Sequence, residues 1–333
     1  MSRPLPPLYE GSLPLIAQVN RYVLHWRSLG RIYRHDAWVL GKLCRFMQDQ
    51  GYIELDQRCF EAWCASLQDK TPCVRRGWQL MVRKFCLFRQ RSEPGCFVPD
   101  SVYFTRPAPY YEPPVIVTPE QVAHLLDVVD REPANPVFPL RKAVVRMSFV
   151  LLFTAGLRRR ELLRLTLADV DVERGVLAIR DSKFNKSRLL PMSADAMHEV
   201  RRYLLQRLAP GTDHAPSSPL IGHHTLSGKF TGYVGEGLYR LLRTALMQAN
   251  ICDAHGRYPS LRDFRHSFAV QALLRWYREG ADVQAQLPQL SLYMGHVSIY
   301  STWLYLHWIP DVATAASRLF ETRWGKLLPG ALP

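Results

Sequence analysis

Apolar residues recur three and four positions apart in four segments near the amino-terminal end of the chain. This spacing is typical of helices that bury one face. The segments are residues 15–29, 36–50, 56–68 and 71–91, with turn glycines at Gly30 and Gly51. The pattern predicts a small helical bundle.

A proline-rich stretch follows the bundle. Residues 94–114 contain six prolines, a density that excludes helix and central strand alike. Thr118, Pro119 and Gln121 then form a capping-box start with proline at the first helical position. We therefore divide the chain into a helical domain at residues 1–105, a linker at 106–117 and a second domain at 118–333.

The second domain carries further segments with helical spacing and two that read as strands. The predicted helices are residues 140–155, 158–166, 194–208, 232–250 and 261–279. Residues 176–180 and 188–192 are predicted to be strands on either side of a polar turn at 184–186. The expected fold is mainly α, with one hairpin in the second domain.

The charge of the chain points to a polyanionic partner. Forty-three Lys and Arg stand against 29 Asp and Glu, which gives a formal net charge of +14. No acidic residue occurs between Lys70 and Arg91, so the last helix of the bundle is a candidate DNA-binding face. A solvated helix face is the alternative. The candidate DNA contacts of this helix are Arg75, Arg76, Arg83 and Lys84, and Lys186 in the second domain is a further candidate.

Composition argues against several other classes of protein. The chain is 47% hydrophobic and 22% charged, which is usual for a globular protein. No apolar run reaches the roughly 18 residues of a membrane span, and the first residues lack the pattern of a secretory signal. We expect a cytoplasmic protein without a membrane partner. Six cysteines in the first hundred residues lack a CxxC pair, so we expect reduced core thiols rather than a zinc site.

Two basic clusters are candidates for binding or protonating a phosphodiester. Gly156 ends an apolar helix and places Arg158 at the first turn of the next, where helix dipole and backbone N–H groups favour an anion. A basic surface turn is the alternative. At the predicted hairpin tip, Lys183 and Lys186 compete to protonate a leaving oxygen, although such tips are often lysine-rich for solubility.

Two further clusters lie nearer the carboxyl end. Arg262 and Arg265 are three residues apart and therefore share a helix face suited to a phosphodiester, or else form ordinary surface ion pairs. The neighbouring His266 is more often structural than catalytic in such a place. Within residues 293–308, Ser298 can cap a helix that brings Tyr305 near His296, so that the tyrosine could act as a nucleophile; an aromatic core helix is the alternative.

In this order and spacing, the four clusters resemble the tyrosine recombinase (phage integrase) family over residues 118 to about 324. The family's Gly-Leu-Arg-x-x-Glu-Leu motif stands at residues 156–162. The resemblance makes Arg158 a phosphate-binding arginine and Glu161 its supporting acid. The hairpin motif Gly-Lys-Gly-Asn-Lys-x-Arg resembles residues 182–188 and implies that Lys183 is the catalytic lysine.

The carboxyl-terminal motifs complete the resemblance. Arg265 is the second arginine, followed by His266 as a supporting residue; Met294-Gly295-His296 stands for Leu-Gly-His, with the nucleophile nine residues on at Tyr305. Phe184 stands where the hairpin motif has its second glycine, and a further departure bears directly on the chemistry. Arg262 replaces the usual histidine, and a guanidinium offers no acceptor for a proton from a phenol near neutrality.

The resemblance implies a core-binding, SAM-like helical domain and a mainly helical catalytic domain. It implies a site-specific DNA recombinase that cleaves and rejoins strands through a 3′-phosphotyrosine, without metal, ATP or another cofactor. Double-stranded DNA would be the substrate, and a homotetramer or related subunits would join two sites. A helix at 311–324 could dock on a neighbouring subunit or pack on its own domain. Type IB topoisomerase-like relaxation and a decayed DNA-binding protein are the alternatives.

Overall fold

The structure is a computed structural model that describes residues 9–11, 13–100, 113–180, 187–225, 227–296, 298, 302, 314, 317 and 318. Contacts within the chain divide it into two compact units, Met1–Glu112 and Pro113–Pro333. The mainly helical fold class predicted from the sequence is confirmed. None of the helices in these ranges is long and apolar enough to cross a membrane.

The amino-terminal unit contains the four predicted helices, with ends that differ by one to three residues from the predicted ones. They are α1 (Pro14–Ser28), α2 (Arg34–Asp49), α3 (Gln57–Ala65) and α4 (Pro72–Arg89). Helix α3 begins where it does because the Asp56 carboxylate accepts the backbone N–H of Cys59 at 2.7 Å. The apolar faces enclose one core, in which Phe60, Trp63 and Phe85 are almost fully buried.

Most of the amino-terminal cysteines lie in or beside this core as free thiols. Burial raises the pKa of Cys44 and Cys86 to about 12, so both stay protonated at neutral pH. The prediction of a core thiol is wrong for Cys73. That side chain is exposed because it lies in the first turn of α4, on the side away from the core.

The carboxyl-terminal unit is built around one buried helix, α6 (Arg141–Thr154). It packs against α5 (Pro119–Arg131), α8 (Ala194–Arg207), α9 (Gly235–Gln248) and α10 (Leu261–Arg278). Helix α5 begins with the predicted capping box, since Thr118 Oγ1 accepts the Gln121 N–H at 3.2 Å and Gln121 Oε1 accepts the Thr118 N–H at 3.0 Å. Helix α7 (Arg159–Leu162) follows α6, and α11 (Val283–Met294) follows α10.

The predicted hairpin is present, but the prediction of a single hairpin is wrong. Strands β1 (Val170–Asp171), β2 (Val176–Ile179) and β3 (Arg188–Pro191) form an antiparallel sheet, and β4 (Gly222–His224) pairs with β5 (Phe230–Gly232). The additional strands contain two or three residues each, too few to show an alternating pattern. In β3, Arg188 lies opposite Ile179, so it begins the strand that follows the predicted lysine turn.

Helix α7 ends four residues before the predicted end at residue 166, because the chain then pairs with a distant segment. The Leu220 N–H donates to the Leu165 carbonyl at 2.8 Å, and the Leu167 N–H donates to the Ser218 carbonyl at 3.0 Å. These backbone bonds separate α7 from a short 3-10 helix at Leu167–Asp169. Helix α9 likewise begins at Gly235 rather than 232, because residues 230–232 belong to β5.

Candidate active site

The last residue of α11 and the glycine after it accept hydrogen bonds from two arginines that are distant in sequence. Arg265 Nη2 donates to the Met294 carbonyl at 2.5 Å, and Arg158 Nη2 donates to the next carbonyl, that of Gly295, at 2.7 Å. His296 follows directly. Gly295 permits this turn because it adopts a left-handed conformation with φ +65° at the end of the helix. The structure thus brings together Arg158, Arg265 and His296.

Arg265 is held in place from two sides. It is 5% exposed on α10, and its Nη1 donates to the Gly156 carbonyl at 2.6 Å. Gly156 adopts φ +58°, and a Cβ at this position would lie 2.6 Å from Cδ1 of Phe268 on α10. A glycine is therefore required at 156 both by the backbone conformation and by the close approach of α10.

Glu161 joins Arg158 to Arg188, a residue to which sequence reasoning gave no role. The Glu161 carboxylate is 5% exposed, and it accepts the Arg158 backbone N–H at 2.9 Å and Arg158 Nη1 at 2.7 Å. It also accepts Arg188 Nη1 at 3.0 Å and Nη2 at 2.9 Å. The backbone N–H at this helix start is thus already paired, and the candidate anion-binding group here is the guanidinium of Arg158.

His296 is neutral at physiological pH. Burial and the nearby positive charges of Arg265 and Arg158 lower its pKa to about 3. Its Nδ1 lies 2.7 Å from Oγ1 of Thr302, a fully buried residue. The hydroxyl of Thr302 therefore fixes the orientation of the ring. Sequence reasoning missed Thr302, since a threonine in a helix carries no signal of its own.

The remaining predicted residues of α10 differ in their surroundings. Arg262 is exposed on the first turn of the helix, whereas Arg265, one turn later, is buried. His266 is half-buried, and burial together with the charges of Arg262 and Arg265 lowers its pKa to about 4. Arg262 and Arg265 therefore share a helix but not an environment.

Three predicted site residues, Lys183, Lys186 and Tyr305, lie outside the described residues. The predicted helix at 311–324 also lies outside them, apart from residues 314, 317 and 318. Within the ranges that the structure covers, no group of three or more His, Cys, Asp or Glu side chains could hold a metal ion.

Four candidate DNA contacts, Arg75, Arg76, Arg83 and Lys84, lie on α4 of the amino-terminal unit. Lys84 is exposed, while Arg75, Arg76 and Arg83 are partly buried. Arg75 Nη1 donates to the Gln68 side chain at 2.6 Å, and Arg83 donates to the Pro99 carbonyl. These contacts leave Lys84 as the most accessible of the four charges.

Arg89 belongs to the same acid-free segment but has a structural place. Its side chain is 9% exposed, and its Nε donates to Glu93 at 2.6 Å while Nη2 lies 3.5 Å from Glu54. The acid-free segment is therefore not a uniform basic face, because the carboxylates of Glu54 and Glu93, which lie outside the segment, neutralise Arg89.

Comparison with known proteins gives a family match and similar relatives. The phage integrase family matches residues 116–310. The putative integrase/recombinase y4rB of Sinorhizobium fredii is 31% identical over 92% of this chain and 96% of its own length. Tyrosine recombinase XerD of Ralstonia nicotianae is 29% identical over 49% of this chain and 47% of its own length.

Solved structures share the fold at low sequence identity. The Tn1549 transposon integrase, solved in complex with transposon right end DNA, matches with a TM-score of 0.61 at 16% identity. The match covers 90% of this chain and 98% of that one. At this identity the likeness establishes the architecture alone.

Proposed function

The chain belongs to the phage integrase family of tyrosine recombinases, and on that premise we propose that it is a site-specific recombinase acting on double-stranded DNA. The observation that carries the proposal is the meeting of Arg158, Arg265 and His296 at the turn formed by residues 294–296. Arginines of an ordinary solvated surface would not be anchored on consecutive carbonyls beside a half-buried histidine.

The proposed reaction is a transesterification. The phenolic oxygen of Tyr305 attacks the scissile phosphorus, so that a P–O bond to tyrosine forms and the P–O5′ bond breaks. The product is a 3′-phosphotyrosine and a free 5′-hydroxyl. One phosphoester replaces another, and the 5′-hydroxyl of a second strand can reverse the step without ATP or a metal ion.

The arginines stabilise the charge that grows during this step. The pentacoordinate transition state carries additional negative charge on its non-bridging oxygens, and a guanidinium is a planar donor of matching geometry. Because Arg158 and Arg265 are anchored on carbonyls, little reorganisation is needed when the phosphate arrives. We assign both residues to the non-bridging oxygens, with Arg262 as a further donor at the exposed edge.

Two protons must move in the reaction. The leaving 5′-oxygen is a poor leaving group as an alkoxide, and we assign its protonation to Lys183. The phenolic proton needs an acceptor, and a permanently charged Arg262 offers none. Neutral His296 retains an acceptor nitrogen, and a bound phosphate anion would raise its basicity. We therefore assign the acceptor role to His296.

DNA binding and assembly extend the proposal to the whole chain. Arg75, Arg76, Arg83, Lys84 and Lys186 would contact phosphates, which supply affinity but little sequence information. Strand exchange needs two duplexes, so four subunits, identical or related, would act together. The helix that the sequence predicts at 311–324 would supply the contact between them.

The test is a two-site plasmid assay with DNA that flanks the gene for this protein. A supercoiled plasmid carrying two copies of the flanking segment is incubated with the chain in EDTA and without ATP. We expect deletion or inversion products according to the orientation of the copies, and none with Tyr305→Phe. Relaxed circles alone would indicate a topoisomerase, and binding without any product would indicate a DNA-binding protein.

A further inference from the structure

Three consecutive carbonyls at the carboxyl end of α11, those of Tyr293, Met294 and Gly295, each accept a hydrogen bond from a different arginine. Arg188 Nε donates to the carbonyl of Tyr293 at 2.8 Å, while the carbonyls of Met294 and Gly295 accept Arg265 and Arg158. Arg188 begins β3, Arg158 precedes α7 and Arg265 lies on α10. One turn therefore serves as the common anchor of three elements that are distant in sequence.

Arg188 also determines the orientation of Glu161. Oε1 of Glu161 accepts Nη1 of both Arg188 and Arg158, and Oε2 accepts Arg188 Nη2 together with the Arg158 backbone N–H. Arg188 thus supplies two of these four hydrogen bonds, and a bidentate guanidinium fixes the plane of the carboxylate. The position of Arg158 Nη1 consequently depends on the contact between Glu161 and Arg188.

All three guanidinium nitrogens of Arg188 donate within the protein, to the Tyr293 carbonyl and to Glu161, so this side chain is suited to support its neighbours rather than to bind DNA. Its side chain is 10% exposed, compared with 26% for Arg158. A Cβ on Gly295 would lie 2.9 Å from Arg188 Nη1, so the backbone of the turn packs directly on the guanidinium. Arg188 thus contacts the groups that hold Arg158, namely Glu161 and the end of α11.

We propose that Arg188 is a positioning residue of the active site, which acts through Glu161 and the turn at residues 293–295 to hold Arg158 against the scissile phosphate. The proposal rests on the proposed recombinase function and adds a residue to it. It predicts that losing Arg188 impairs the contact with the non-bridging oxygens specifically, and does not merely weaken the fold.

The experiment compares two DNA substrates. One carries the normal phosphate at the cleavage position of the site defined by the plasmid assay, and the other carries a methylphosphonate there. The methylphosphonate replaces a charged non-bridging oxygen with a methyl group, so attack on it needs less cationic stabilisation. The rate of covalent adduct formation is measured in single turnover for the wild type and for Arg158→Ala, Arg188→Ala and Arg188→Lys.

Arg146→Ala is the matched control. Arg146 also pairs bidentately with a carboxylate, that of Glu199, at 2.8 Å for both bonds, and its side chain is 16% exposed. It also pairs with Asp130, and neither carboxylate belongs to the candidate site. Loss of these ion pairs should lower the free energy of unfolding and change the adduct rate on both substrates by the same factor.

We expect Arg158→Ala and Arg188→Ala to lose about 100-fold in rate on the normal phosphate and about tenfold or less on the methylphosphonate. Arg188→Lys should follow Arg188→Ala, because an ammonium group cannot bind both oxygens of Glu161 and the Tyr293 carbonyl in the same geometry. Arg146→Ala should show equal effects on the two substrates.

Equal losses on both substrates for the two Arg188 variants would overturn the proposal, as would wild-type rates for Arg188→Lys. If Arg188→Ala fails to fold, which urea unfolding would reveal, Arg188→Lys decides the question because it keeps the charge. Absence of adduct from the wild-type chain on either substrate would refute the proposed function itself. The two failures are therefore distinguishable.

Discussion

Replacing Gly156 with alanine should disturb the active site more than the addition of a single methyl group suggests. Gly156 adopts φ +58°, and its carbonyl accepts Nη1 of Arg265. Its missing side chain leaves room for Phe268, whose ring stacks on Tyr293 with centroids 5.4 Å apart. An added methyl group would therefore press on the helix that carries Arg265 and on the residue whose carbonyl anchors Arg188.

The magnitude follows from two contributions. A left-handed conformation costs an L-residue about 1–2 kcal/mol. The new Cβ would lie 2.6 Å from Phe268, about 1 Å inside normal carbon–carbon contact, and overpacking of this kind costs about 1–3 kcal/mol. The free energy of unfolding should fall by about 2–5 kcal/mol, which leaves a protein of ordinary stability folded. A shift of Arg265 by about 1 Å should reduce the cleavage rate by about 100-fold.

Gly256→Ala separates conformational strain from the clash. Gly256 also has a left-handed backbone, with φ +74°, but a Cβ added to this exposed residue would meet nothing within 4 Å. The variant should lose about 1–2 kcal/mol and keep its cleavage rate. Both variants are compared by urea unfolding and by covalent adduct formation on nicked DNA. Equal stability and equal rates for the two variants would refute the reasoning.

Further expected outcomes concern hydrogen bonding, pH and DNA binding. Thr302→Val should lower the adduct rate roughly fivefold, as loss of about 1 kcal/mol of hydrogen bonding implies, whereas Thr302→Ser should not. Because the pKa values of His296 and His266 are lowered from 6.5 to about 3 and about 4, the native state binds fewer protons than the unfolded chain below pH 6.5. The urea midpoint should therefore fall from pH 7 to pH 5, and His266→Gln should reduce that fall; an unchanged midpoint would contradict the assignment. Lys84→Ala should reduce the slope of log affinity for duplex DNA against log salt by about 1, while Arg89→Ala should lower the free energy of unfolding and leave that slope unchanged.

The sequence predicted the helices because their apolar spacing is a strong local signal, and it predicted the residues that meet at the site through the family motifs that they form together. Helical spacing and the Thr118 capping box gave α1 to α6 and α8 to α10 to within a few residues. Gly156 and Arg158 were recognisable because a glycine ends the apolar helix and Arg158 then lies at the start of the next one. Family resemblance then supplied the pairing of Arg158 with Glu161, which the structure shows.

The parts that sequence reasoning missed depend on contacts between distant residues. Strands of two or three residues such as β1 and β5 exist because a neighbouring strand pairs with them, so no pattern of their own reveals them. Likewise, Arg188 looked like the end of a basic hairpin, and only the fold shows that it faces Glu161. The difference between buried Arg265 and exposed Arg262 also arises from packing of α10, since the two residues look alike in sequence.

The most direct test of the central claim is to identify the residue that becomes linked to DNA. The chain is trapped on a nicked substrate in EDTA, digested, and the peptide carrying a nucleotide is sequenced by mass spectrometry. The account predicts a 3′-phosphate on Tyr305, with adduct formation slowed about 100-fold by Arg158→Ala or Arg265→Ala at concentrations where DNA binding persists. An adduct on another residue, such as Tyr300, would contradict it. So would an adduct that forms at the wild-type rate in the Arg158→Ala or Arg265→Ala variant.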